Sequence, residues 1–342
     1  MKAAVVILNW NGRSLLETFL PGVVSTCTGK AEVVVADNHS TDDSLEFVRN
    51  RFPGVHIVSN AANEGFALGY NLALREIDAE YFILLNSDVQ VTDGWVETLL
   101  DFLDRHPDVA VCQPTIRWYK QPELFEYAGA AGGYIDRFGY PFCRGRVFGS
   151  LEPDTGQYAD EVPVFWASGA CMAIRSNIFR EAGGFDPVFF AHMEEIDLCW
   201  RIQNLGYRVC CVPASVVFHV GGATLPKNNP GKTFLNFRNN LSMLYKNLPP
   251  SRLLPVLFIR LVMDGIAGVK FLSEGGFLDC FAVVRAHFHF YLRVVTGRLK
   301  RSYRKKSGVP PTMYSGWIAW DYYVRGVRTF GQLHFRPKKI TL

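Results

Sequence analysis

Apolar and polar positions alternate in blocks over the first hundred residues. AAVVIL (3–8), EVVVAD (32–37), HIVSN (56–60) and YFILLN (81–86) are short continuous apolar runs, which predict strands buried on both faces. Between them SLLETFLPGVVS (14–25), DDSLEFVRNRF (42–52), GFALGYNLALREI (65–77) and GWVETLLDFLDRH (94–106) carry the 3.6-residue period of amphipathic helices. This order predicts β-α-β units and an α/β fold around a mostly parallel central sheet. Further on, SVVFHVGGAT (215–224) reads as another strand, and LLPVLFIRLVMDGIAGVKFL (253–272) and FLDCFAVVRAHFHFYLRVV (277–295) as two apolar helices joined at Ser273–Gly276.

Such sheets bind ligands beyond the carboxyl ends of their strands. Asn9, Asp37, Asn60 and the Asn86-Ser87-Asp88 turn all fall at predicted strand ends and should converge on one crevice. No G-x-G-x-x-G and no G-x-x-x-x-G-K-[ST] follows the first strand, so a dinucleotide fold and a phosphate loop are both disfavoured. Asp37 either accepts from the N–H of a nucleobase or supports its own loop. Asp88 either closes an Asx-type turn or holds Mg²⁺ or Mn²⁺ while a diphosphate supplies further oxygens. A second cluster, His192-Met193-Glu194-Glu195-Ile196-Asp197, opens a short helix. Its dipole and an Asp197–Arg201 pair explain Asp197 and Arg201, but not two adjacent glutamates beside Phe189 and Phe190. A carboxylate of raised pKa there would serve as a general base. His219, at the end of an apolar run, is structural or a metal ligand.

Composition changes the picture only in the tail. Residues 1–225 carry 16 Lys/Arg against 28 Asp/Glu (net −12), and residues 226–342 carry 20 against 4 (net +16). The eight cysteines show no CxxC pair or metal-ligand spacing and read as buried hydrophobes rather than disulfides. The first apolar run is too short for a signal peptide, and Arg260, Asp264 and Lys270 interrupt the best spanning candidate, so a cytoplasmic start and no integral membrane helix are expected.

Together, VVILNWNG (5–12), VVVADNHSTDDS (33–44), NEGFALGYNLAL (63–74), LLNSDV (84–89), SGACMAIRSNIFREAGGFDPVFF (168–190), EEIDLCWRIQNLGYRV (194–209) and FHVGG (218–222) resemble the bacterial family 2 glycosyltransferases of GT-A fold, especially the rhamnosyltransferase-like branch. The resemblance implies a nucleotide pocket of Asn9, Asn11 and Asp37, with Asn63, Gly65 and Asn71 flanking the sugar nucleotide. Asn86-Ser87-Asp88 stands where the family has its D-x-D metal motif, with Asn86 in place of the first Asp. Asp88 and His219 are then the metal side, for Mg²⁺ or Mn²⁺. Glu195 aligns with the catalytic base, one methylene longer than the usual Asp, and Glu194 is its rival for that role. On the acceptor side the expected residues are Trp166, Ser168, Gly169, His192 and Arg201. The implied reaction is a single inverting displacement of a nucleotide diphosphate from a dTDP- or UDP-linked sugar, rhamnose or another deoxysugar.

The expected organisation is a catalytic domain over 1–245, nucleotide-binding to about 115 and acceptor-binding after it, followed by a helical and polybasic region over 246–342. Two apolar helices leading into RLKRSYRKK (298–306) fit a hairpin lying on an anionic leaflet, where each surface cation is worth about 1 kcal/mol. The alternative is a helical subdomain packed on the sheet or on a dimer partner. A lipid-linked glycan acceptor and a peripheral position on the inner face of the cell membrane follow from the first reading. No nucleic-acid motif accompanies the basic run. Two rivals remain: a non-catalytic membrane-associated binding module of the same fold, and a sugar nucleotidyltransferase.

Overall fold

The computed structural model describes residues 1–221, 229–303 and 308–335. Strands β1 (Ala3–Asn9), β2 (Glu32–Asp37), β3 (His56–Ser59) and β4 (Tyr81–Asn86) alternate with helices α1 (Arg13–Cys27), α2 (Ser44–Arg51), α3 (Gly65–Arg75) and α4 (Trp95–Arg105). The four strands pair in parallel in the order β3-β2-β1-β4, with Asn9 opposite Asp37 and Leu8 opposite Asn86. Strand Cys171–Arg175 runs antiparallel between β4 and β6 (Val109–Trp118), and Arg208–His219 then lies parallel to β6. Six strands therefore point the same way, and Asn9, Asp37, Asn86, Trp118 and His219 share one edge.

The period-two alternation divides the side chains between two cores. Val5, Ile7, Val35, Ile83 and Leu85 face α1 and α4, whereas Ala4, Val6, Ala36, Phe82 and Leu84 face α3 and the acceptor-side layers. A four-stranded antiparallel sheet of two- and three-residue strands between Gly133 and Leu151 covers that second core. All eight cysteines are free, and seven are buried.

Helix Pro230–Asn247 leads into a hairpin of Pro250–Ser273 and Phe277–Val295. Leu244, Leu248 and Leu253 belong to one core cluster, so apolar packing runs on across residue 245. The chain then returns to the small sheet: the Tyr314 N–H donates to the Ile135 carbonyl (2.9 Å) and the Phe330 N–H to Glu152 Oε1 (2.8 Å). The hairpin is bolted down through charge, because fully buried Arg260 donates to Asp264 (3.1 Å), which also meets His287 Nε2 (3.0 Å) and the Tyr140 hydroxyl (3.1 Å). Its outer face is apolar, with Leu254, Phe258, Phe277 and Val295 between 67% and 84% exposed. Among the described residues no helix is long and apolar enough to cross a membrane. Of the basic run, Arg301 is committed to the Leu248 carbonyl, and Arg304, Lys305 and Lys306 lie outside the described residues, as does Gly222.

Candidate active site

Asn9, at the end of β1, is fully buried and donates to Asp37 Oδ1 (3.1 Å), Ser40 Oγ (3.1 Å) and Ser44 Oγ (2.9 Å). Asp37 Oδ2 accepts from the Ser40 N–H (3.0 Å), so the carboxylate is held at the crevice wall by its own loop. Asn11, with φ 50°, accepts from the Thr41 N–H (2.7 Å) and shapes the same loop. Next to it Asn38 donates to Asn63 Oδ1 (3.0 Å) and to the Gly65 carbonyl (3.0 Å). Asn9, Asn11, Asp37, Asn63 and Gly65, the expected donor-side residues, are thus brought together by one hydrogen-bonded loop network.

β4 stops at Asn86, and a two-residue turn passes into Val89–Val91, which pairs antiparallel with Arg208–His219 so that Val89 faces His219. That register sets Asp88 Oδ1 3.1 Å from His219 Nε2. Glu126 completes the group from an unforeseen direction: β6 turns back through Gln121–Phe125, and Glu126 Oε1 arrives 3.5 Å from His219 Nδ1. All three side chains are buried. Burial alone would lower the imidazole pKa, but the two carboxylates outweigh it and raise it to about 10. Burial likewise pushes Asp88 up, and the hydrogen bond and charge of His219 more than reverse this, leaving it below the usual carboxylate range. The separation suits a shared cation, since cis ligands at octahedral Mg²⁺ bond lengths lie roughly 3 Å apart. Among the described residues no set of three or more His, Cys, Asp and Glu is placed to hold a metal ion, so Asp88 and His219 alone would leave most of a cation's coordination to other ligands.

The second cluster sits at the N-terminus of helix Glu194–Asn204. The loop leading into it is strained: Phe190 (φ 67°), His192 (φ 69°) and Met193 (φ 72°) are all left-handed, at roughly 1–3 kcal/mol each. Helix Pro230–Asn247 holds it there, because buried Asn239 donates to the carbonyls of Phe189 (2.9 Å), Ala191 (2.8 Å) and His192 (2.8 Å). On the donor side the Phe190 carbonyl accepts from the Phe66 N–H (2.8 Å), and a Cβ on Gly65 (φ 69°) would come within 2.6 Å of the Phe190 ring. The Asn63–Gly65 loop and the loop before Glu194 meet at this contact.

Glu194 Oε2 and Glu195 Oε2 are buried without a hydrogen-bond partner. Burial and its neighbour Glu195 push Glu194 far above the carboxylate range, while burial raises Glu195 to about 7, moderated by helix N-terminal N–H groups. The pair divides into one neutral acid and one carboxyl poised near neutrality. His192 Nε2 is also unpartnered, and burial followed by the charge of Lys232 lowers the ring to about 4, so it is neutral at pH 7.

Several expected contacts are instead supports. Asn71 commits both amide groups to the backbone of Phe185 (2.7 and 2.9 Å). Trp166 Nε1 donates to the Tyr134 carbonyl (3.0 Å) in the core, and Ser168 bonds the Ala128 carbonyl. Arg201 is consumed by Asp197 (2.8 Å) and the carbonyls of Ala182 and Gly184. Gly169 packs against Phe66, 3.0 Å from where its Cβ would be. Their polar atoms are satisfied within the protein, which leaves His192 as the acceptor-side residue with an unanswered nitrogen. Glu126 carries a faint sequence signal, an acid between Phe125 and Tyr127 just before a Gly/Ala run.

The sequence model of glycosyl transferase family 2 matches residues 4–182, more than half of the chain. The N-acetylglucosaminyl-diphospho-decaprenol L-rhamnosyltransferase of Mycobacterium tuberculosis is 29% identical over 233 residues, 63% of this chain and 75% of that protein. Rhamnosyltransferase WbbL of Escherichia coli is 25% identical over 236 residues, covering 65% and 84%. Among solved structures, GalNAc-T7 with UDP, GalNAc and Mn²⁺ superposes with a TM-score of 0.58 at 19% identity, over 73% of this chain and 48% of that one, so the chain spans about half its length. The mannosyltransferase PcManGT of Pyrobaculum calidifontis, in complex with GDP-Man and Mn²⁺, gives 0.52 at 16% identity over 85% and 87%. The structural likenesses show the fold, and the match over residues 4–182, with sequence similarity to rhamnosyltransferases beside it, places the chain in glycosyl transferase family 2: it is a glycosyltransferase.

Proposed function

We propose that this protein is an inverting, metal-dependent glycosyltransferase that moves a sugar, rhamnose or another deoxysugar from a dTDP- or UDP-linked donor, onto a lipid-linked glycan at the inner face of the cell membrane. The observation that carries it is that Asp37 and the Asp88–His219 pair stand at one sheet edge, and that the loop leading to the unpartnered Glu195 touches the Asn63–Gly65 segment through the Gly65–Phe190 contact. In this reading Asp37 accepts from the base N–H and the Asn63–Gly65 segment lies along the sugar nucleotide. Asp88 and His219 would hold Mg²⁺ or Mn²⁺, which neutralises charge on the departing diphosphate when bound. Glu195, ionised near pH 7, takes the proton of the acceptor hydroxyl while Glu194 stays protonated beside it. The exposed apolar face of the hairpin, with Arg252, Lys270, Arg285 and Arg298 beside it, suits the surface of an anionic leaflet. The relatives' names, which specify rhamnosyl transfer and in one case a decaprenol-linked diphosphate, support the donor and acceptor classes.

The test is transfer from dTDP-rhamnose, and from UDP-sugars, to a short-chain prenyl-diphosphate-GlcNAc, with the anomeric configuration of the product read by NMR. An inverted product formed only with added divalent cation supports the reading. A retained configuration, or turnover with soluble acceptors alone, contradicts it.

A further inference from the structure

The loop that carries Phe190 lines a second space. Val188 and Phe190 form one side of a cavity of about 600 Å³, Phe234 and Leu235 of helix Pro230–Asn247 form another, and Arg238 and Arg293 line it as well. Both arginines rest on the loop, Arg238 donating to the Phe189 carbonyl (3.0 Å) and Arg293 to that of Val188 (3.0 Å). Around Phe234 more positive charge collects. The Arg285 guanidinium lies 4.2 Å over its ring and that of Arg238 5.1 Å. The nearby acid, Asp186, is already bound to Lys246. Burial and Arg293 together draw the Arg238 pKa down to about 10, as expected of a cation with too little compensating charge.

Arginines converging on apolar walls fit a ligand with an anionic head and a hydrocarbon body. The same helix that supplies Arg293 exposes Phe281, Val284, Phe288 and Val295, so a chain leaving the cavity finds apolar surface at once. Asn239, adjacent to Arg238, holds the strained turn before Glu194, which sets the cavity next to the unpartnered glutamates in the chain.

We propose that this cavity is the acceptor's anchor: it binds the diphosphate of a polyprenyl-type carrier through Arg238, Arg285 and Arg293, with the isoprenoid tail along the hairpin and the glycan end reaching past Phe190 toward Glu195. This rests on the proposed transfer to a lipid-linked acceptor, and it names the residues that recognise that substrate. The donor crevice, at Asp37 and Asp88, is a separate place and can be scored separately.

The experiment is calorimetric titration of the full chain with farnesyl diphosphate, alongside farnesol, inorganic pyrophosphate and phosphatidylglycerol vesicles, and with dTDP and UDP as donor-side controls. The variants are Arg285→Gln, Arg293→Gln, their combination and Asp88→Ala. Arg285 is exposed, so its replacement leaves the fold intact. Farnesyl diphosphate should bind the native chain and Asp88→Ala alike, and at least about tenfold more weakly each of the arginine variants, whose nucleotide affinity stays unchanged. Binding that is indifferent to the double arginine variant, that is lost in Asp88→Ala, or that vesicles displace as well as farnesyl diphosphate does, overturns the proposal. Failure of every nucleotide to bind the native chain sinks the donor reading instead, and leaves the lipid-diphosphate result to be scored on its own.

Discussion

Asp88 Oδ1 lies 3.1 Å from His219 Nε2, and the other ring nitrogen of that histidine faces Glu126 Oε1 at 3.5 Å. The imidazole is clamped between two buried carboxylates, one at the crevice and one behind it. With its pKa raised to about 10 the ring carries both protons at pH 7, so a cation at Nε2 would displace the proton there, and a carboxylate behind a ligating histidine then keeps the remaining proton on the far nitrogen.

Replacing the rear carboxylate by Glu126→Gln keeps the shape and weakens that hold. Mn²⁺ affinity in the presence of dTDP or UDP, followed by calorimetry, should fall about 10- to 100-fold, with nucleotide affinity in the absence of metal unchanged. Equal Mn²⁺ affinity in variant and native protein would show that Glu126 does not support the site.

The glutamate pair predicts both a rate profile and a stability profile. In the proposed role Glu195 acts ionised, and with its pKa raised to about 7 kcat should rise with pH through that value and level off above it. Glu195→Gln should lower kcat by about 10²- to 10⁴-fold, whereas Glu194→Gln, which replaces a group already neutral, should stay within about tenfold of native. For stability the sign is opposite: a carboxyl whose folded pKa is raised is favourable while protonated, and that stability is lost as pH rises from about 4.5 through about 7. Glu195→Gln should therefore raise the Tm at pH 8 and leave it unchanged at pH 4. A larger loss of kcat in Glu194→Gln would exchange the two roles.

Asn239→Ala removes the donor shared by three buried loop carbonyls. The Phe189 carbonyl keeps Arg238 as a donor, but taking this donor from the Ala191 and His192 carbonyls, in a turn that already stores backbone strain, should destabilise the protein by about 2–3 kcal/mol in urea unfolding. The surviving folded enzyme should lose kcat while its KM for the sugar nucleotide is retained. An unchanged kcat would mean that the glutamates keep their geometry without this tether.

Much of this was legible in the sequence where the signal is local. The alternation of continuous apolar runs with 3.6-period segments locates β1 to β4 and α1 to α4 to within about two residues, because β1, β2 and β4 are buried on both faces, the edge strand β3 is half-exposed, and each helix is buried on one face. The strand that ends on His219 is longer than its apolar stretch suggests: it starts at Arg208 and absorbs Pro213, which cannot donate to a ladder, at a register shift between Val212 and Val216. The small sheet between Gly133 and Leu151 has strands too short for any periodicity to register. Asp37, Asp88 and His219 stand at strand ends and were visible for that reason. Glu126 was not, because only the hairpin of β6 with Gln121–Phe125 carries it to His219. Trp166, Ser168 and Arg201 look like site residues by position, yet backbone partners from distant segments take up their polar atoms.

The hairpin's outer face predicts reversible membrane association. The native chain should sediment with vesicles containing anionic phospholipid, less so at high salt, and Phe258→Glu combined with Phe281→Glu should release it without loss of helix content by circular dichroism. Equal sedimentation of native and variant chains would assign that face to another partner.

The most direct measurement is calorimetric binding of dTDP, UDP and GDP, each with and without Mn²⁺ or Mg²⁺, to the native chain and to Asp88→Ala. The account predicts metal-dependent binding of a pyrimidine diphosphate that falls to the metal-free level in the variant. Binding that is indifferent to metal and to Asp88, or the absence of any nucleotide binding, would contradict it.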